Sequence, residues 1–110
     1  MATTTYKVLA QSAPSATSNT DIYTVGAGKQ TVISTIVIAN RAATAASYRI
    51  AIRTDGAVLA NTHYLAYDTP IAGNDSITLT LGLTIDASDV VTVYASTANF
   101  TFSIFGAEIS

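Results

Sequence analysis

The stretch D-S-I-T-L-T-L-G-L-T-I-D-A-S-D-V-V-T-V-Y, Asp75 to Tyr94, decides how this chain folds. Ile77, Leu79, Leu81 and Leu83 share one parity, with Ser76, Thr78, Thr80 and Gly82 between them. Successive residues of a strand point to opposite faces, so this segment is oily on one side and hydroxylic on the other. A short acidic turn, Asp86 to Asp89, leads into a second strand with Val91, Val93 and Ala95 on one parity. The two are expected to form a hairpin, whose apolar face needs a second layer to cover it.

The rest of the chain supplies that layer. Thr5 to Gln11 has the pattern of a first strand, with Tyr6, Val8 and Ala10 on one side. Residues 12–20 are small and polar and include Pro14, which cannot donate to a ladder. The first strand can fold back onto the body or reach a neighbour as an arm, and folding back is the simpler expectation because loop closure costs little. The organisation is therefore an N-terminal strand or arm with its linker over residues 1–20, and a β-domain over residues 21–110. Asp21 to Val25 forms a short strand. Lys29 to Asn40 is the longest, with Val32, Ile36 and Ile38 on one parity and Ile33 and Val37 on the other. A strand apolar on both sides is expected to be covered on both. Residues 41–46 form a small-residue loop, too short for a stable helix. Between 47 and 53, Tyr48, Ile50 and Ile52 point one way and Arg49, Ala51 and Arg53 the other. Thr54-Asp55-Gly56 is a turn signal. Residues 57–68 hold one or two short edge strands, and residues 69–74, with Pro70 and Gly73, a loop. Ser96 to Asn99 is a polar turn. Phe100, Phe102 and Ile104 point inward from the last strand, with Phe105 on its other face. Seven to nine short strands, separated by turn signals, predict an all-β antiparallel β-sandwich, immunoglobulin-like or jelly-roll.

Composition narrows the function. In 110 residues there is no Cys, so disulfides and thiolate metal sites are excluded. Only 11% of residues are charged and the net charge is -2, far from the basic surface that nucleic acid requires. Ala, Thr and Ser make up 47 residues, which leaves a surface that is small and hydroxylic. A charge-poor β surface is tolerable where neighbours cover it, so assembly is expected. No signal-peptide core follows Met1, and no apolar run is long enough to cross a bilayer as a helix; no membrane partner is expected.

No residue pattern announces catalysis. His63 is the only histidine, and its context, N-T-H-Y-L-A-Y-D, suits a half-buried hydrogen-bonded side chain better than a catalytic one. Gly26-Ala27-Gly28-Lys29 lacks the length, the hydroxyl residue and the following helix of a phosphate loop. Asp86, Ser88 and Asp89 offer too few oxygens for calcium, and turn hydrogen bonds account for them. The sequons at Asn74 and Asn99 carry little weight without a secretion signal. Tyr64, Tyr67 and Asp68 could present flat faces to a sugar, although no Trp reinforces them. Arg49 and Arg53 line an outward strand face and could fork onto the carboxylates of a partner subunit. Neither an enzyme, a cofactor nor a metal is expected. The candidate contact residues are Arg49, Arg53, Tyr64 and Tyr67.

The stretches V-I-S-T-I-V-I-A-N-R (Val32–Arg41), Y-R-I-A-I-R-T-D-G-A-V-L-A-N-T-H-Y-L-A-Y-D (Tyr48–Asp68) and I-A-G-N-D-S-I-T-L-T-L-G-L-T-I-D-A-S-D-V-V-T-V-Y-A-S (Ile71–Ser96) resemble a small β-domain of tailed-bacteriophage virion proteins, especially of phages of cyanobacteria and other aquatic bacteria. The resemblance covers Asp21 to Ile109. It implies a non-enzymatic structural protein of the virion and transfers no residue roles. With one sandwich nearly filling the chain, a capsid decoration (cement) protein is the expectation. It would lie on the capsid surface, bound to the major capsid protein and to copies of itself as a homotrimer at local three-fold points. The alternative is a tail, baseplate or fibre-associated protein, with host-surface carbohydrate as a further ligand.

Overall fold

Eight strands build two four-stranded sheets, all neighbours antiparallel. The computed structural model describes residues 3–110, with Leu81 by its backbone alone. The strands are β1 (Thr4–Ser12), β2 (Thr20–Thr24), β3 (Gln30–Asn40), β4 (Ala46–Arg53), β5 (Tyr64–Ile71), β6 (Ser76–Asp86), β7 (Val90–Ala95) and β8 (Phe100–Ile109). Sheet A has the order β1-β8-β3-β6 and sheet B the order β2-β7-β4-β5. Every connection except β4–β5 crosses from one sheet to the other. This is the strand order of a jelly roll, which resolves the choice between the two sandwich types. Two 3₁₀ turns, Thr54–Gly56 and Asn61–His63, interrupt the β4–β5 connection.

That order corrects the hairpin reading of Asp75–Tyr94. β6 and β7 are strands, but they lie in opposite sheets and do not pair. The Asp86–Asp89 turn is a corner between layers. Alternation shows which face of each strand is apolar; it does not show which strand lies beside it. β1 folds back onto β8 from Thr4↔Ile109 to Ser12↔Phe102, the simpler of the two expectations for the first strand.

The core lies between the sheets, as the period-2 patterns of β4, β7 and β8 require. Tyr48, Phe100 and Phe102 are fully buried at its centre, with ring centroids 6.3–6.4 Å apart in tilted or edge-on arrangements. Ile33, Ile36, Ile38, Ile50 and Ile104 surround them. Each such side chain contributes about 1.5–3 kcal/mol by leaving water.

β3 is apolar on both parities for a different reason from the one expected. Ile33 pairs with Gly106 and Leu83, yet the next paired residue, Thr35, faces Phe105 and Thr80. Against β8 the extra residue is Ser34, which forms a bulge and switches the strand's parity, while against β6 the extra residue belongs to β6, beside Gly82. Ile33 before the step and Ile36 and Ile38 after it therefore all enter the core. Ser34 Oγ donates to the Phe105 carbonyl at 3.2 Å, across the step. β1 steps one residue further along β8, between Val8 and Ala10. Tyr6 and Val8 consequently stay outside, 84% and 48% exposed, while Leu9 and Ala10 pack on the core. The shared parity expected of Tyr6, Val8 and Ala10 is broken by that step.

Candidate functional site

Sheet B carries the proposed contact residues on its outer face. Tyr48, Ile50 and Ile52 point inward from β4, so Arg49 and Arg53 point outward, as the alternation predicts. Arg49 lies opposite Tyr94 on β7. Its guanidinium stacks 4.1 Å from the Tyr67 ring centroid and 4.2 Å from that of Tyr94. Its Nε and Nη2 donate to the two Asp68 carboxylate oxygens at 2.7 and 3.3 Å. Tyr64 meets Tyr67 edge-on at 4.9 Å. The hydrogen bond and charge of Asp68 raise the pKa of Arg49, which keeps the cation fixed.

Arg53 is equally engaged. It donates to Asp21 at 2.8 Å, to Thr92 Oγ1 at 3.0 Å and to the carbonyls of Gly56 and Ala57. Thr92 in turn donates to Asp21. Both arginines thus find their carboxylates within the chain, on β5 and β2. Within the chain, then, the carboxylates that the two arginines fork onto are Asp68 and Asp21. The outer face of sheet B presents an assembled Tyr–Arg–Tyr platform in which Tyr67 is 55% exposed. The sequence gives the outward direction of both arginines. It does not give the Asp68 pairing, which depends on the interrupted β4–β5 register.

The other candidates have structural duties. His63 is half-buried and its Nδ1 accepts from the Ala60 N–H at 3.0 Å, closing its own 3₁₀ turn. Asp89 is 8% exposed, and its carboxylate accepts from the N–H groups of Asp55 and Asp86, both at 2.9 Å. Asp86 accepts from Ala87 N–H. These are the turn bonds expected of that loop, and they leave the buried Asp89 pinning the β4–β5 and β6–β7 connections together. Asn40 plays the same part at the opposite end of the sandwich, with donors to Thr44, Ile71 and Ala72 carbonyls and an acceptor for Ala42 N–H. It continues the inward parity of Ile36 and Ile38, which is the sequence signal that would have found it.

A polar group between the sheets also escaped sequence reading. Tyr23 of β2 donates to Glu108 of β8 at 2.6 Å and lies 2.8 Å from Thr31 Oγ1. Lys7 of β1 meets the same carboxylate at 2.9 Å. Burial and the neighbouring carboxylate push the Tyr23 pKa up from 10.0 to about 12. The Tyr23 hydrogen bond, then Lys7, hold the Glu108 carboxyl below its usual 4.5. A depressed carboxylate contributes stability above its unfolded pKa and loses it as pH falls through the folded value. A raised phenol contributes below 10 and loses its share as pH climbs towards 12. Melting temperature against pH should therefore decline on both flanks. Glu108→Gln should flatten the acid flank and cost about 1 kcal/mol at neutral pH. An unchanged acid flank in that variant would remove Glu108 from this role.

The outer face of sheet A is different in kind. Tyr6, Val32, Phe105, Ala107 and Ile109 line a shallow groove of about 700 Å³, with Lys7 on its rim. No protein-family model, curated protein or solved structure matches this chain.

Proposed function

We propose that this chain is a structural protein of a tailed-bacteriophage virion, acting as a capsid decoration protein on the head surface. It works by adhesion and transforms no substrate. The observation that supports this most is the pairing of a jelly-roll strand order with a sheet A outer face that is apolar and aromatic, with Lys7 the one charged residue lining its groove. Jelly rolls recur in viral capsid and lectin domains. The fold alone does not assign function; the resemblance of Val32–Arg41, Tyr48–Asp68 and Ile71–Ser96 to virion β-domains adds to it. The partners on this reading are the major capsid protein and further copies of the chain. A standard interface of about 800 Å² per partner is within reach of one such sheet face, and repetition over a shell multiplies modest contacts.

Mass analysis and electron microscopy of the purified particle test this. The expected result is a copy number that scales with the major capsid protein, with density on the head. Few copies at the tail would favour the second reading, a tail or baseplate protein that touches host carbohydrate. The exposed Tyr67 beside Tyr64 and Asp68 favours that alternative, and a glycan array that loses signal on Tyr67→Ala would support it. Absence from the particle would overturn both.

A further inference from the structure

A sheet edge presents a row of unpaired N–H and C=O groups, and proteins guard such edges against stray pairing. This sandwich has four edge strands, β1 and β6 in sheet A, β2 and β5 in sheet B. Three are guarded. β2 has five residues and holds Asp21 in an ion pair with Arg53. β5 contains Pro70 and two register shifts, and Asp68 within it has a φ of 51°. β1 carries Lys7 and is broken by the step before Ala10. β6 runs for eleven residues, with no Pro and no charge before Asp86. Its register on β3 shifts between Leu83 and Thr80, where Gly82 has a φ of 63°, and Ser76 to Thr80 before that step pair regularly. Among the described residues, β3 is the only strand that pairs with it, and no loop backbone bonds to residues 77–85.

We propose that β6 pairs antiparallel with β6 of a second copy across a two-fold axis, joining two four-stranded sheets into one of eight strands. The unmet backbone groups of an edge specify a strand as the occupant. The side chains specify this strand. Ser76, Thr78, Thr80 and Thr84 are exposed on the outer face, while Ile77, Leu79 and Leu83 are half-buried on the core face. Pairing two copies about Thr78, over the regular stretch Ser76–Thr80, keeps parity, so Ser76 comes opposite Thr80 and Ile77 opposite Leu79. Hydroxyls then meet hydroxyls, and aliphatic side chains left half-open at the edge cover one another. The same register sets Asp75 opposite residue 81 and leaves Asp86 beyond the paired stretch, so no carboxylate faces another. An isologous contact closes at two copies, in place of the homotrimer expected from the resemblance. This holds whether or not the chain is a virion component: the mass of the isolated chain decides it, and the composition of the particle decides the other.

Sedimentation equilibrium over a concentration series is the test. The wild type should approach twice the 11.4 kDa chain mass. Thr78→Lys/Thr80→Lys sets like charges across the axis and should raise the dissociation constant at least about a hundredfold. Thr78→Glu/Thr80→Glu should do the same, and an equimolar mixture of the two should recover the dimer. Both variants change exposed side chains, so circular dichroism should match the wild type. A wild type that stays monomeric, or forms trimers, would overturn the proposal. So would a lysine variant that associates like the wild type, or a mixture that remains monomeric.

Discussion

Gly106→Ala is expected to destabilise the protein by about 3 kcal/mol or more and to lower Tm by roughly 10 °C. Gly106 sits in β8 opposite Ile33, where β3 steps at Ser34. A Cβ at this position would lie 2.0 Å from the Val32 carbonyl oxygen, 3.0 Å from its carbon and 3.1 Å from the Ile33 Cα. All three are backbone atoms, so no rotamer change relieves the clash. The two strands would have to separate, and β3 and β8 are the two central strands of sheet A. Their separation loosens Ile33 and Ile104 in the core together with the Ser34–Phe105 hydrogen bond. Chemical unfolding monitored by circular dichroism measures the effect. A loss below about 1 kcal/mol would show that the strands part freely at the step, contrary to the tight packing of protein interiors.

Asn40→Ala should cost about 3 kcal/mol, at the upper end for a side chain of its size. Asn40 is 2% exposed, and its amide joins three chain segments. Nδ2 donates to Thr44 at 2.9 Å, Ile71 at 3.2 Å and Ala72 at 3.3 Å, while Oδ1 accepts from Ala42 N–H at 3.0 Å. Alanine leaves those carbonyls without their donor where water is largely excluded, and an orphaned buried acceptor is costly. Asn40→Asp separates this from a simple packing loss. Aspartate preserves the volume and the Ala42 bond but turns a carboxylate towards carbonyl oxygens. It should be at least as damaging as alanine near neutral pH. If aspartate were tolerated, the carbonyl contacts would not be what holds the loops.

These two positions also show how far the sequence could be read. Alternation in β4, β6 and β8 gave the faces of those strands, including the inward Phe100, Phe102 and Ile104 and the outward Arg49 and Arg53. It failed at Ser34 and Leu9, because one inserted residue reverses parity and neither residue type announces a bulge. It failed for the β6–β7 connection because an Asp-rich turn serves a corner between sheets as well as a hairpin. By pattern alone Asn40 is a polar strand end; once the parity switch at Ser34 is applied, it falls in line with Ile36 and Ile38. The Tyr–Arg–Tyr stack was legible as separate outward residues. Its assembly was not, because Asp68 reaches Arg49 through a non-local pairing that the pattern of neither strand encodes.

The last strand of the chain occupies the middle of sheet A, between the first strand and the third. A nascent chain lacking β8 has no place to seat β1, and β3 lacks one of its two neighbours. Until β8 has been made the hydrophobic interior stays open, and closure waits for that strand. The emergence of β8, rather than of any earlier segment, sets the moment at which the sandwich can close. Until then its unguarded strands are at their most vulnerable to misassociation with other nascent copies.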